Sequence, residues 1–198
     1  MNIPQPLSPV HGVMPRYGDG EVHQAASILG IADLSIRPRA GAKGPGTADW
    51  LAGFGLPIPS MPNNWCELPN GGLIARMGLT EYMVEGNQEL AEKIMGANRV
   101  AGVYPVLRQD ASFALCGSRV NELFLQTCNV DFRILDAEPS KLVLTSMAGV
   151  SVMVLATQTG PAACYRLWCD GTYGIYLWET LAGITQELGG CIGPDALQ

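Results

Sequence analysis

Acidic side chains are the principal candidates for proton transfer in this chain of 198 residues. The carboxylates that could serve are spread along the sequence: Asp33, Asp110, Asp131, Asp136 and Asp170. General acid–base catalysis needs a group held within hydrogen-bond reach of the substrate, and nothing in the sequence brings two of these carboxylates together. The only histidines are His11 and His23, both near the start of the chain. A histidine base or a multi-histidine metal site in the core is therefore excluded.

Asp110 has the most distinctive surroundings of these acidic residues. It lies in the segment 107–113, where Arg108 and Asp110 form a charge cluster beside an apolar run typical of a buried strand. An ion pair between Arg108 and Asp110, or a solvated strand edge, explains the cluster without any chemistry. A functional role for Asp110 is the alternative.

The cysteines do not form a recognisable metal or disulfide pattern. The chain contains six of them: Cys66, Cys116, Cys128, Cys164, Cys169 and Cys191. They lack both the close pairing of a zinc ribbon and the even framework of a small secreted domain. Cys116, Cys128 and Cys164 lie in apolar segments, where a cysteine is usually a buried filler. We expect most of the six to be reduced, and we assign no nucleophile, cofactor-binding residue or metal ligand to the chain.

The glycines before the first predicted helix do not form a phosphate-binding loop. In the segment 41–46 (GAKGPG), Pro45 stands where a phosphate cradle would need a donating amide. The segment also lacks the Lys-Ser or Lys-Thr that ends a P-loop. We interpret it as a turn.

Composition and charge restrict the class of partner. The net charge is −6, and the 12 Lys and Arg residues are scattered rather than clustered. The sequence therefore lacks the basic surface that binds nucleic acid or an anionic membrane. It shows no apolar stretch long enough to span a bilayer and no leader pattern at its start. These features predict a cytoplasmic protein.

Two segments of the chain read as copies of one unit, strand, turn and helix. They are residues 43–51 and 116–124. The repetition divides the chain into an N-terminal arm (1–30), a domain with two internal repeats (31–99 and 100–190) and a C-terminal tail (191–198). The predicted architecture is α+β, with two related βαβ-type halves whose antiparallel sheets are covered by helices.

Hydrophobic periodicity supplies the individual elements. Extended segments are predicted at 31–37, 73–77, 81–84, 103–115, 141–146, 150–157 and 164–169, and helices at 21–29, 45–54, 88–95, 118–127 and 173–188. The stretch 56–72 contains four prolines and a Gly-Gly pair, which predicts a long surface loop. The last helix carries a stripe that we expect to face the core: Tyr173, Tyr176, Leu177, Thr180, Leu181 and Ile184.

Aromatic residues suggest where a partner would bind. The four tryptophans are Trp50, Trp65, Trp168 and Trp178, and such side chains usually occupy a core or an interface. Trp65 lies in the proline-rich loop and is the best interface candidate. Arg16 and Tyr17, in the exposed-looking part of the N-terminal arm, are the other two residues that we expect at an interface.

Seven short strings in order along the chain carry a family resemblance. IADLS (31–35) and KGPG (43–46) resemble the opening of the folate-binding domain of the glycine cleavage T protein. Five further strings are similar to the gamma subunit of heterotetrameric sarcosine oxidase: GLTEYMV (78–84), DASFALCG (110–117), CNVDF (128–132), LTSMAGV (144–150) and YGIYLWE (173–179). The match extends from about residue 31 to residue 189.

The resemblance implies a fold and a role. It implies a fold like the T-protein folate-binding domain, and a noncatalytic gamma subunit that packs against an alpha subunit alongside beta and delta subunits. FAD, FMN, NAD, tetrahydrofolate and zinc would be bound by those other subunits. The complex would demethylate an N-methyl amino acid oxidatively, and N-methylglutamate dehydrogenase complexes contain a related subunit, so either sarcosine or N-methylglutamate is a possible substrate.

Two other classes of function remain open from the sequence. An independent folate-binding protein or aminomethyltransferase of the T-protein type is one, although the segment 190–193 (GCIG) does not match the Lys-Gly-Cys-Tyr signature of those relatives. A stand-alone adaptor that uses the fold for association is the other. The arm through Leu29 matches nothing that we can place in the sarcosine oxidase gamma subunit.

Overall fold

A computed structural model describes residues 7–13, 22–98, 100–157 and 164–193 of the chain. Six α-helices lie in these ranges: α1 (Val22–Ile28), α2 (Thr47–Ala52), α3 (Gln88–Gly96), α4 (Val120–Thr127), α5 (Ile134–Ala137) and α6 (Gly174–Glu187). The strands in the same ranges are β1 (Gly30–Asp33), β2 (Arg39–Lys43), β3 (Asn64–Leu68), β4 (Gly72–Arg76), β5 (Glu81–Glu85), β6 (Tyr104–Val106), β7 (Ala111–Cys116), β8 (Leu142–Met147), β9 (Val150–Thr157), β10 (Cys164–Cys169) and β11 (Cys191–Ile192).

The strands form two sheets. Sheet A has six strands in the order β11-β1-β7-β10-β9-β8, and sheet B has five in the order β3-β4-β5-β2-β6. The strand β1 pairs in parallel with β11 and antiparallel with β7, and the neighbouring strands of sheet B all pair antiparallel. The predicted α+β class with antiparallel sheets is therefore confirmed.

The repeated strand–turn–helix unit is present twice. In each copy the strand ends one residue before a glycine with positive φ, and the helix begins three residues after that glycine: Gly44 (φ 117°) lies between β2 and α2, and Gly117 (φ 130°) between β7 and α4. A side chain at either glycine would overlap a backbone carbonyl oxygen, that of Gly102 or of Ile28. Both turns therefore require glycine on two grounds.

The chain falls into two compact units. Unit 1 contains residues 1–36, 109–139 and 144–198, and unit 2 contains residues 37–108 and 140–143. The boundaries predicted from the sequence (1–30, 31–99, 100–190 and 191–198) describe repetition along the chain rather than compactness, and they stay a prediction.

Aromatic rings pack under the helices of unit 1. Phe113 of β7 lies 5.1 Å from the ring of Trp178 on α6, and Tyr165 of β10 lies 5.0 Å from Phe124 on α4. These rings are almost fully buried. In unit 2 the core is a cluster of aliphatic side chains with one tyrosine, contributed by both sheet and helices: Ala40, Leu51, Leu68, Ile74, Tyr82, Val84 and Ile94.

The buried stripe of α6 differs from the predicted one. The side chains that face the core are Leu177, Trp178, Leu181, Ala182 and Thr185. Tyr173 and Tyr176 were expected on this stripe, but they are 55% and 54% exposed. The cause is Trp178, which packs on Phe113 and rotates the apolar face by one residue.

Other predicted elements are confirmed in outline and corrected in detail. The hairpins β4–β5 and β8–β9 lie where they were predicted. The stretch 56–72 is not loop throughout, because β3 pairs with β4 at the edge of sheet B, where prolines outside the strand are tolerated. The segment 103–115 is not one extended piece, since β6 belongs to sheet B and β7 to sheet A.

Candidate functional site

Trp65 lies on the edge strand of sheet B. Its backbone N–H donates to the carbonyl oxygen of Ser140 at 2.7 Å, and Ala75 is opposite it on β4. The residue is half-buried, and its indole Nε1 is buried with no hydrogen-bond acceptor among the residues that the structure describes. A buried indole N–H normally finds an acceptor. The interface role predicted for Trp65 stays a prediction.

The N-terminal arm is described only in part. Arg16 and Tyr17, the other two predicted interface residues, lie outside the described residues. Within residues 7–13, Val10 is completely buried, and its N–H donates to Ser8 Oγ at 3.1 Å. The Cβ that alanine would add at Gly174 would lie 3.3 Å from Pro9 Cβ, so this part of the arm packs closely on the start of α6.

Asp110 is half-buried at the residue before β7. Burial, with smaller contributions from the carboxylates of Asp110 and Asp170, raises the pKa of Cys169 to about 12. The Cys169 thiol is therefore protonated at neutral pH and is a poor nucleophile. The expected Arg108–Asp110 ion pair stays a prediction, and Arg108 forms an ion pair with Glu81 at 2.8 Å.

Three of the other candidate carboxylates hold local turns. Asp33 Oδ1 accepts from the N–H of Ser35 at 2.9 Å, Asp131 binds the guanidinium of Arg133, and Asp170 caps a short helical turn by accepting from the N–H of Thr172. The bonds from Arg133 and from Thr172 lower the pKa values of Asp131 and Asp170. Asp131 and Asp170 therefore remain ionised at neutral pH, and all three carboxylates serve as acceptors in turns.

The cysteine prediction requires one correction. Cys116 and Cys164 form a disulfide, whereas the sequence analysis expected both to be buried thiols. The reason is the register of β7 and β10, which places the two residues directly opposite each other with Cα atoms 4.2 Å apart. The residues are 48 positions apart in the chain, so their spacing gave no signal. Cys66, Cys128, Cys169 and Cys191 are free.

A buried charge cluster in unit 2 was missed by the sequence analysis. Glu85 is completely buried, and its carboxylate binds Arg39 at 2.8 Å and Arg37 at 3.5 Å. The side chain of Arg39 is 3% exposed, so this pair is desolvated. Buried ionised groups occur in proteins only when they are paired. The cluster has the form of a structural ion pair at the end of β5, and a glutamate directly after the buried run Tyr82 to Val84 was the available signal.

The described residues were also expected to show any metal site or membrane-spanning helix that they form. Within it, no three His, Cys, Asp or Glu side chains are grouped closely enough to hold a metal ion. No helix in the described ranges is both long enough and apolar enough to cross a membrane. Unit 1 contains the Cys116–Cys164 disulfide, and unit 2 contains the edge tryptophan Trp65 and the buried Arg39–Glu85 ion pair.

Two solved structures have a fold similar to that of this chain. No protein-family model matches the sequence, and a search of curated proteins finds no match. Among solved structures, a chain of "Heterotetrameric Sarcosine Oxidase from Corynebacterium sp. U-96 in complex with pyrrole 2-carboxylate" is similar at a TM-score of 0.71 and 15% identity. The match covers 94% of this chain and 97% of that one.

A second solved structure has the same fold over part of its length. It is the glycine cleavage system aminomethyltransferase T from Bartonella henselae, with a TM-score of 0.68 and 11% identity. The match covers 87% of this chain but 50% of the aminomethyltransferase, so the chain spans about half the length of that protein. The likeness expected from the sequence strings, to sarcosine oxidase and to the T protein, is confirmed at the level of the fold.

Proposed function

We propose that the chain is the noncatalytic gamma-type subunit of a heterotetrameric flavin-dependent oxidoreductase. The complex would oxidatively demethylate an N-methyl amino acid, sarcosine or N-methylglutamate. The observation that carries the proposal is the extent of the match, which covers 97% of one sarcosine oxidase chain. A separate match covers 50% of an aminomethyltransferase. The chain therefore corresponds to nearly a whole chain of the first protein and to one part of the second.

The partners and cofactors follow from the same proposal. Alpha, beta and delta subunits would assemble with this chain, which packs against alpha. FAD, FMN, NAD, tetrahydrofolate and zinc would be bound by those subunits in the cytoplasm. Three of the five carboxylates that could transfer protons, Asp33, Asp131 and Asp170, are engaged in local turns, which supports this division of labour.

We propose that Trp65 contributes most to binding of the partner subunit. Arg16 and Tyr17 of the N-terminal arm would contact the same partner. Tryptophan and arginine are enriched among residues that dominate binding energy. The half-buried ring of Trp65 on the edge strand β3 offers apolar surface to the alpha subunit. Trp65→Ala removes that surface and should weaken assembly more than it alters the fold.

The experiment that tests the proposal is gentle purification of the tagged chain from its native host. We expect three further polypeptides in constant ratio and the visible absorption spectrum of bound flavin. The purified complex would then be supplied with sarcosine and with N-methylglutamate, and formaldehyde or reduced cofactor would be measured. A single colourless chain would contradict the proposal and favour a stand-alone adaptor.

Folate binding by the chain itself is the second candidate. The structural likeness to an aminomethyltransferase favours it. Calorimetry with tetrahydrofolate and the isolated chain tests it directly, and Asp110→Asn should abolish binding if Asp110 holds the pterin. Absence of binding to the unmodified chain, or equal binding by Asp110→Asn, would contradict this role of Asp110.

A further inference from the structure

Strand β8 is an unprotected edge of sheet A. It forms one end of the strand order, and β9 is its one strand neighbour among the described residues. Its sequence, LVLTSM, contains no charged residue and no proline. The other sheet ends differ: β3 contains Glu67, β6 contains Pro105, and β11 has two residues. Charge, proline and shortness are the usual devices that prevent an edge from pairing with another strand.

The backbone of β8 shows which groups face outward. The N–H of Leu142 donates to the carbonyl oxygen of Asn63 at 2.8 Å, so it points away from β9. Backbone groups of alternate residues in a strand point to the same side, which places those of Leu144 and Ser146 outward as well. Val143, Thr145 and Met147 then face β9. The two-residue turn Ala148-Gly149 agrees, since it pairs Met147 with Val150.

Residue exposure along β8 increases away from Asn63. Leu142, beside Asn63, is 3% exposed, whereas Leu144 is 52% exposed and Ser146 is also exposed. Leu144 and Ser146 therefore both direct backbone N–H and C=O groups outward, and Leu144 adds an exposed apolar side chain. This is the combination that strand addition uses, with main-chain bonds for affinity and a side-chain contact for specificity.

We propose that a β-strand of a partner subunit adds to sheet A alongside β8, forming main-chain hydrogen bonds with Leu144 and Ser146. The inference rests on the proposed function, because it names the contact that a subunit of such a complex would make. The strand that fits is extended and places an apolar side chain against Leu144. A second copy of this chain fits less well, since two copies that each carry a net charge of −6 repel each other.

Amide hydrogen exchange tests the contact in the protein as it exists. The isolated chain and the complex purified through its tag are exchanged in D₂O, and the amides of β8 are compared. The amides of Val143 and Thr145 should be protected in both samples. Those of Leu144 and Ser146 should exchange quickly in the isolated chain and at least tenfold more slowly in the complex.

Two variants test the same contact without depending on exchange. Leu144→Pro removes an outward N–H, a place where edge strands tolerate proline, and Leu144→Lys adds a protective charge. Each should lower recovery of the complex at least tenfold, with the circular dichroism spectrum of the isolated chain unchanged for Leu144→Lys. Leu107→Lys is the matched control, because Leu107 is 72% exposed and follows β6, which lies at the end of sheet B opposite to β3. Its recovery should stay within twofold.

The outcomes separate this inference from the proposed function. A flavin-containing complex in which Leu144 and Ser146 exchange as fast as in the isolated chain would overturn strand addition and leave the subunit assignment intact. Concentration-dependent dimers of the isolated chain, abolished by Leu144→Lys, would assign the edge to a second copy and overturn the partner strand. Recovery of no complex at all would overturn both.

Discussion

Arg39 lies directly opposite Glu85 across β2 and β5, and its Nε donates to Glu85 Oε2 at 2.8 Å in a nearly water-free position. Arg37 approaches the same carboxylate at 3.5 Å and is 33% exposed. The register of two strands therefore sets a buried ion pair that sequence spacing did not reveal. The rim position of Arg37 makes it the weaker partner.

Removal of one charge from this pair should destabilise unit 2 strongly. Glu85→Gln leaves the buried Arg39 guanidinium without its counter-charge, and the expected loss is about 3–5 kcal/mol in the free energy of unfolding. Urea denaturation followed by fluorescence measures it. Glu122→Gln is the control, since the Arg119–Glu122 pair is exposed and its loss should cost far less. Equal effects of the two substitutions would contradict the assignment.

The disulfide gives a prediction that mass spectrometry can check. Alkylation of the denatured, unreduced protein should modify four cysteines, and prior reduction should raise the number to six. Because the bond closes a loop of 48 positions, its reduction should lower the unfolding free energy by about 2–4 kcal/mol. Six modified cysteines without reductant would show that β7 and β10 carry two thiols.

Cys169 should make the protein less stable at alkaline pH. Its pKa in the folded chain is raised to about 12, mainly by burial, whereas an unfolded cysteine ionises near about 8.5. The contribution of the Cys169 thiol to the free energy of unfolding is complete below the pKa of an unfolded cysteine. It is lost as pH rises toward the pKa of Cys169 in the folded chain, because the unfolded chain releases a proton that the folded chain keeps. Guanidinium unfolding from pH 8 to pH 10 should show a slope of up to about 1.4 kcal/mol per pH unit.

Cys169→Ala separates this effect from that of other groups. Burial also raises the pKa values of Cys66, Cys191 and Tyr82, which act in the same direction. The variant should therefore show a shallower pH slope but not a flat one. An unchanged slope would place the titration elsewhere.

The glycine that begins the second strand–turn–helix unit should tolerate no side chain. Gly117→Ala combines a positive φ with an overlap against the Ile28 carbonyl, and we expect a loss of more than about 1 kcal/mol. Gly183→Ala is the opposite case, since Gly183 lies within α6 with open space around it. It should stabilise the chain by about 0.5–1 kcal/mol. Thermal denaturation of both variants checks the pair.

The tip of the β8–β9 hairpin holds an alanine in a left-handed conformation. Ala148 has φ 49°; its N–H donates to the Thr127 carbonyl at 2.7 Å, and its own carbonyl accepts from Tyr176 Oη at 3.1 Å. Tyr176→Phe should therefore cost about 1 kcal/mol although the side chain is exposed. Ala148→Gly should relieve the backbone and stabilise by up to about 1 kcal/mol. A destabilising Ala148→Gly would show that the methyl group packs usefully.

Local patterns predicted much of this fold, and long-range register supplied the rest. The hairpins, the helix α3 and the two glycine turns follow from periodicity and turn residues within about ten positions. The disulfide between Cys116 and Cys164, the Arg39–Glu85 pair and the membership of β6 and β7 in different sheets depend on which strands meet. Sequence spacing contains little information on which strands pair. Trp65 was therefore predicted to lie in a surface loop, whereas it lies on the edge strand β3.

The division of the chain into units has a consequence for its synthesis on the ribosome. Residues 37–108 of unit 2 leave the ribosome early, and only residues 140–143 join them later. The strand β1 emerges first, yet its neighbours in sheet A are β7 and β11, and β11 is made about 160 residues after it. One edge of β1 therefore stays unpaired until β11 emerges. During that interval β1 is the segment most exposed to incorrect strand pairing or to binding by a chaperone.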